Sequence, residues 1–391
     1  MRYTRLLGAL MVSGLVAPVA AQDSAPFIAR IEAAQAPDRG GLDGLTLEQV
    51  MRRFRVPGMS VAVIRNGEVH WAKGYGIADV ETGARVDVNT AFQAASISKP
   101  ITAMAAVRLA QEGRLDLDAD INSILRTFKL PRDDSTRFPA PTPRSFFSHT
   151  SGADDGFGFP GYNPGVPLPT PAQIVRGDPM ANVSRVPFVR APYTGYKYSG
   201  GGTTVMQQAL VDITGRPFAD FMQATVLDPL GMTGSSYQQP PAPDQAPRLA
   251  RAHSGAGLRM GPPWHVYPEQ AAAGLWTTPS DLAKVLIEVQ RAVRGPRGQV
   301  LTQDGARQMT TPVGVGPFAV GFQVEKRGEG WYFMHGGSNW GFRCDMIAHV
   351  RRGYGVVVMT NGDGGGPLIA EVEARVAAAY DWDSLHKPLI R

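Results

Sequence analysis

Across 391 residues the chain has a single cysteine, Cys344. One thiol excludes a disulfide scaffold, an iron–sulfur cluster held by thiolates and a cysteine-rich zinc site. Seven histidines, among them His149, His253, His265 and His335, are scattered without the spacing of metal ligands. There is no H-E-x-x-H, no Walker loop and no G-x-S-x-G elbow. Gly156 to Gly161 fits G-x-G-x-x-G formally, but it lies in a proline-rich stretch with Pro160 inside it. A dinucleotide fingerprint needs a strand before and a helix after. The sequence therefore calls for no metal and no cofactor. Charge is also sparse, at 19 % of residues with a net of +5. Two of the basic residues, Arg2 and Arg5, fall in the first few positions, and the rest are scattered, which argues against nucleic acid as a partner. No internal repeat is present.

Beyond the N-terminus no apolar run approaches the ~20 residues that span a bilayer. The N-terminus itself reads as a secretory signal. Arg2 and Arg5 form a basic start, Leu6 to Ala17 a short apolar run, and Val19 and Ala21 the small residues of a cleavage site after Ala21. Residues 1–21 are thus expected to be removed, leaving a mature chain, 22–391, in the periplasm or secreted. A lone thiol suits an oxidising compartment.

What the chain has in quantity is apolar residues, 43 %, with 45 glycines and 32 prolines. That composition supports a large core threaded by many loops. Thr46 to Phe54 reads as a helix with Thr46 as N-cap. Asn66-Gly67 between β-prone runs, Met59 to Arg65 and Glu68 to Gly74, predicts a hairpin. Ala95 to Gln111 has a helical apolar face ended by Gly113. Twelve prolines then fall between Pro131 and Pro192 and seven between Pro240 and Pro268, with short helices at 203–214 and 218–226. A helix is expected at 280–291, strands at 318–325, 331–335, 342–350 and 355–360, and a last helix at 368–380. Strands at both chain ends, joined by hairpins, predict an α+β fold with one antiparallel sheet flanked by helices. The sheet part spans about 27–115 and 270–391, and a mostly helical, loop-rich insertion spans about 116–269.

Ser96-Ile97-Ser98-Lys99 is the pattern that carries chemistry. At i and i+3 the two side chains share a helix face. A helix start favours negative charge developing on the serine oxygen, and Pro100 fits only near such a start. Serine attacks only when something takes its proton, and a lysine does so once burial lowers its pKa. Ser384 to Lys387 matches the same pattern but sits at the C-terminal end, with no apolar run following.

Several segments, in this order, extend the pattern: Val56 to Val63 with Gly74-Tyr75-Gly76, Phe92 to Lys99, Phe147 to Gly152, Tyr196 to Gly200, Pro229 to Met232 and His335-Gly336-Gly337. Together they resemble the class C β-lactamase, D,D-peptidase and esterase superfamily of serine hydrolases, the S12 peptidase family. The resemblance implies a β-lactamase/transpeptidase-like fold. It makes Ser96 the acylated nucleophile, Lys99 its proton partner and Tyr198 the phenol that shares acid and base duty. It places the oxyanion hole at the backbone N–H groups of Ser96 and Ser338. It adds His335 to the catalytic set and puts Gly200, Gly336, Gly337 and Arg343 at substrate-binding positions.

Two positions depart from the family pattern. Gly200 stands where the second motif has asparagine, and His335 where the third has lysine. A histidine mostly neutral at pH 7 does not attract a carboxylate as an ammonium does. It can still donate a hydrogen bond to Tyr198 or to a substrate carbonyl. Arg343 is a candidate for the missing charge, with a structural arginine as the other reading. The expected activity is acyl transfer to water from small esters, amides or peptides. The alternatives are a β-lactamase or penicillin-recognising D,D-peptidase, and a catalytically silent binding module of the same fold.

Overall fold

The computed structural model describes residues 23–35, 41–131, 139–155, 158–295, 297–328 and 330–382. The proposed signal segment and the Ser384–Lys387 pattern lie outside them. Nine strands are described: β1 Gly58–Arg65, β2 Glu68–Asp79, β3 Ala84–Arg85, β4 Phe92–Gln93, β5 Trp276–Thr277, β6 Gln323–Arg327, β7 Gly330–Asn339, β8 Phe342–His349 and β9 Gly355–Thr360. Seven form one antiparallel sheet in the order β3-β2-β1-β9-β8-β7-β6, so β1 from the start of the chain pairs with β9 from its end. β4 and β5 make a separate two-stranded piece.

The helices are α1 Ala25–Glu32, α2 Leu47–Arg53, α3 Ser98–Gln111, α4 Ile121–Ile124, α5 Pro143–Phe147, α6 Pro171–Arg176, α7 Gly200–Thr214, α8 Phe218–Met222, α9 Gln270–Ala273, α10 Pro279–Arg294, α11 Gln303–Thr310 and α12 Gly365–Ala379. Thr46 caps α2 as expected, in a reciprocal box with Gln49. Both faces of the sheet are covered. Val356 and Val358 of β9 pack with Leu47, Val50, Leu368 and Val372 of α2 and α12. Val357 and Met359, pointing the other way, join Ala62, Leu282, Val285 and Val289, the last three from α10. A strand buried on both sides reads as an unbroken apolar run, which is how β9 appears in the sequence.

Between α3 and β5 the regular structure consists of helices, α4 to α9, separated by loops, all of them short except the 15-residue α7. Three elements differ from expectation. The helix at 95–111 opens with a 3-10 turn over Ala95–Ile97 before α3 begins. The segment at 218–226 widens into a π turn at Gln223–Leu227. The strand expected from residue 318 begins only at Gln323. Before it the chain bends at Gly321, φ +98°, where a Cβ would meet the Ala103 Cβ at 2.6 Å. That bend frees Phe318 to serve as a wall of the cleft described next.

A buried polar cluster ties α12 to the N-terminal segments. The Arg375 side chain is fully buried, pairs with Glu371 at 2.7 Å, and donates to the carbonyls of Ile31, Ala33, Leu42 and Leu45. Arg375→Met leaves these acceptors and the Glu371 charge without their donor. Breaking a buried pair in this way costs about 3–5 kcal/mol. A urea titration should show that loss, while Arg52→Ala, at an exposed pair with Glu48, should change stability by less than about 1 kcal/mol.

Candidate active site

Ser96 is held by a strained turn. Ala95, immediately before it, has φ +49°, a left-handed conformation that a non-glycine residue adopts only where its surroundings enforce it. Here Ser98 Oγ donates to the Ala95 carbonyl at 2.6 Å and accepts from the Leu275 N–H at 3.1 Å. The Tyr237 hydroxyl donates to the Ser98 carbonyl at 2.9 Å. The Ala94 N–H donates to the Leu275 carbonyl at 2.8 Å, beside the β4–β5 pair. Ser96 is thereby turned into the cleft while its neighbours on both sides are buried.

Lys99, in the first turn of α3, is buried with 2 % of its surface exposed. Its Nζ lies 3.0 Å from Ser96 Oγ and donates to the Ala272 carbonyl at 2.9 Å. It also sits 5.0 Å from the centre of the Tyr198 ring. Among the described residues no carboxylate pairs with it.

Tyr198 stands just before α7, whose N-cap is Ser199. Ser199 Oγ donates to Asp155 and accepts from the Gly202 N–H at 2.7 Å; Asp155 Oδ2 also accepts from the Gly201 N–H at 2.7 Å. The Ser199 N–H donates to His149 Nδ1 at 3.1 Å, and the His149 ring packs 4.3 Å from that of Tyr198. Asp155 and His149 thus set where Tyr198 points. His149 was visible in the sequence only as part of the Phe147–Gly152 segment. Asp155 gave no local signal, because its partners lie far along the chain. Gly200, expected to contact substrate, is instead buried at the start of α7 and does not line the cleft.

His335, Gly336, Gly337 and Ser338 follow one another along β7. β6 pairs with β7 only as far as Met334, so the outer edge of β7 from His335 onward has no described ladder partner. A Cβ on Gly337 would fall 2.3 Å from the Ala94 carbonyl oxygen and 2.4 Å from Cys344 Sγ. Only glycine permits this approach, and it brings Ser338 into the same cleft as Ser96. That cleft encloses about 1260 Å³ and is also lined by Tyr196, Tyr198, Phe318, His335, Trp340 and Arg343. Trp340 stacks on His265 at 4.1 Å along one wall.

His335 is 5 % exposed, and burial together with the nearby Lys99 pushes its pKa down to about 3. The imidazole is therefore neutral at working pH. Nδ1 lies 2.6 Å from the Gly336 carbonyl, which can only accept, so Nδ1 carries the proton. Nε2 is then a bare lone pair, buried and, among the described residues, without a hydrogen-bond partner. This corrects the expectation that His335 donates to Tyr198 or to a substrate carbonyl: in this geometry its free nitrogen accepts. Arg343 is not a free cation either. Its Nη2 lies 2.8 Å from Asp363, and its Nη1 donates to the Asn339 and Phe342 carbonyls at 2.7 Å.

Comparison with known proteins bears on the family and the fold. A family profile described as Beta-lactamase matches residues 45–381. The chain is 28 % identical over 339 residues to esterase EstB of Burkholderia gladioli, covering 80 % of this chain and 79 % of the esterase. It is 23 % identical over 334 residues to protein flp of Staphylococcus aureus strain N315, covering 81 % of this chain but only 61 % of that longer protein. The solved structure of D-amino acid amidase from Ochrobactrum anthropi, with L-phenylalanine, superposes with a TM-score of 0.69 at 22 % identity, covering 91 % and 98 % of the two chains.

A histidine kept neutral by burial has a signature in stability. His335 binds its proton only near pH 3 when folded but near 6.5 when unfolded. Between those values the unfolded chain holds the extra proton, so this contribution is complete above pH 6.5 and is lost as pH falls. Plotted against pH, the stability difference between wild type and His335→Gln should decline from pH 6.5 to 4, with a slope approaching about 1.4 kcal/mol per unit. Urea midpoints measure it; parallel curves for the two proteins would contradict the burial argument.

Proposed function

This chain belongs to the beta-lactamase family, and within that family we propose that it is an exported serine hydrolase that cleaves small esters or amides through an acyl-enzyme on Ser96. The observation that carries the reading is the 3.0 Å contact between the Ser96 hydroxyl and a buried Lys99 amine with no described carboxylate partner. In the proposed cycle the deprotonated member of the Lys99–Tyr198 pair takes the Ser96 proton as the oxygen attacks the carbonyl carbon. The Ser96 and Ser338 N–H groups hold the oxyanion. The same pair returns the proton to the departing alcohol or amine, and water then repeats the sequence to release the acid. His335 Nε2, as an acceptor, is suited to orient the Tyr198 hydroxyl.

The choice of esters and amides over β-lactams rests on charge. A penicillin brings a carboxylate, and the cleft meets it with a neutral imidazole at His335 and with an Arg343 already paired to Asp363. Similarity to esterase EstB points the same way. The N-terminal basic and apolar run supports export to the periplasm or beyond.

Two measurements test the reading. Wild type should have a higher kcat/KM for a p-nitrophenyl ester than for a chromogenic cephalosporin, and His335→Lys should move that ratio toward the cephalosporin. A wild type that strongly prefers the cephalosporin would put β-lactamase in its place. Separately, Tyr198→Phe should lower kcat for the ester by about 10²-fold or more, the scale of lost acid–base catalysis. Near-normal turnover would remove Tyr198 from the proton path.

A further inference from the structure

Two pairs of stacked rings line the catalytic cleft, one toward each end of the free edge of β7. At the His335 end, Tyr196 lies over Phe318 with ring centres 5.8 Å apart and planes 16° apart, and Phe318 meets the His335 ring edge-on at 5.8 Å. At the other end, past Ser338, Trp340 lies parallel to His265, 4.1 Å away and within 5°. The first pair borders Tyr198, which the proposed chemistry uses. The second takes no part in that chemistry, yet several separate contacts hold it in place.

Trp340 and Gly341 form the two-residue turn between β7 and β8, closed by the Asn339–Phe342 pair. Gly341 has φ +74°, and a Cβ there would collide with that of Ala252, so the turn lies tight against that residue. The Trp340 N–H donates to the hydroxyl of the buried Tyr267 at 3.1 Å. His265 is anchored separately. Its Nδ1 lies 2.7 Å from the Pro160 carbonyl, which can only accept, so Nδ1 carries the proton. Gly161, at φ +75°, allows the close approach: a Cβ there would fall 2.7 Å from both the His265 Cβ and the Tyr267 ring. Both stacked rings are nevertheless only half-buried. A flat surface fixed before a ligand arrives costs little to order on binding. Another aromatic ring packs on such a surface for more than its buried area alone provides.

The proton path decides which half of a substrate meets this surface. In the proposed cycle the departing alcohol or amine takes its proton from the Lys99–Tyr198 pair. It therefore leaves on the Tyr198 side, where the Tyr198 and His335 ring centres are 6.2 Å apart. With the carbonyl held between Ser96 and Ser338, the acyl chain extends the other way, along β7 past Ser338. Trp340 is two residues beyond Ser338, about 7 Å along an extended strand. A ring carried two or three bonds from the carbonyl reaches that far.

Resting on the ester or amide reading above, we propose that the Trp340–His265 stack is the specificity determinant for the acyl group and selects acyl chains that carry an aromatic ring.

Three p-nitrophenyl esters with one leaving group test this: 3-phenylpropionate, 3-cyclohexylpropionate and butyrate. The first two differ only in whether the ring is aromatic, and the butyrate, with no ring, reports turnover as such. Wild-type kcat/KM should be about 3- to 10-fold higher for the phenyl than for the cyclohexyl ester, the scale of aromatic stacking beyond area burial. In Trp340→Leu, and separately in His265→Leu, that ratio should fall toward one. Tyr196→Leu, which breaks the stack at the Tyr198 end, should keep it. Each ratio is taken within one protein, so a smaller folded fraction does not change it. Ser96-dependent turnover of the butyrate with no preference for the phenyl ester overturns the inference and leaves the hydrolase reading standing. So does a preference that survives in Trp340→Leu or that Tyr196→Leu abolishes equally. No turnover of any of the three esters overturns both.

Discussion

An uncompensated amine inside the protein is the constraint on which the rest of the site depends. Lys99 is buried, and the groups around it are a serine hydroxyl, a backbone carbonyl and the face of a phenol ring. Each of these is a neutral group, and none supplies the counter-charge of a carboxylate. The same placement makes a second cation costly nearby, and the residue at 335 is a neutral histidine, held neutral by burial and by Lys99 itself. The departure at the third motif is thus continuous with the electrostatics of the nucleophile.

Geometry is supplied by contacts between parts of the chain far apart in sequence. The turn at Ala95 is held by Ser98 and by Leu275, the residue just before β5. β7 reaches the same turn because Gly337 has no side chain to obstruct the Ala94 carbonyl. Asn339, two residues on, donates to Gln93 at 2.8 Å and to the Ala273 carbonyl at 3.1 Å, locking β7 to the β4 segment and to α9. Since α9 also supplies the carbonyl that holds Lys99, the Ser96 turn, Lys99 and β7 are tied together through hydrogen bonds. Preorganisation of this kind is what an oxyanion site requires.

Local pattern made part of this legible in the sequence. Asn66-Gly67 marked the β1–β2 hairpin, Thr46 marked the start of α2, and the apolar run at 355–360 marked a strand buried on both faces. Ser96 and Lys99 stand out in the sequence because their relation is a helix turn, a distance that sequence spacing reports. Tyr198 and His335 stand out only by resemblance to a family and by nothing local. Contacts across the fold stayed hidden. The bend at Gly321 depends on Ala103. The tautomer of His335 depends on where the Gly336 carbonyl points. The partner of Arg343 is Asp363, on the far side of β9 in sequence. Trp340 and His265 lie on a turn and a loop whose meeting only the packed structure displays.

The account stands on Ser96 being the atom that becomes acylated. Intact-mass spectrometry of the mature protein after treatment with a fluorophosphonate, followed by peptide mapping, measures this directly. The expected result is a single adduct on the peptide containing Ser96, absent from Ser96→Ala protein that retains the wild-type circular dichroism spectrum. An adduct mapped to another serine, or none on folded wild type, would contradict the account.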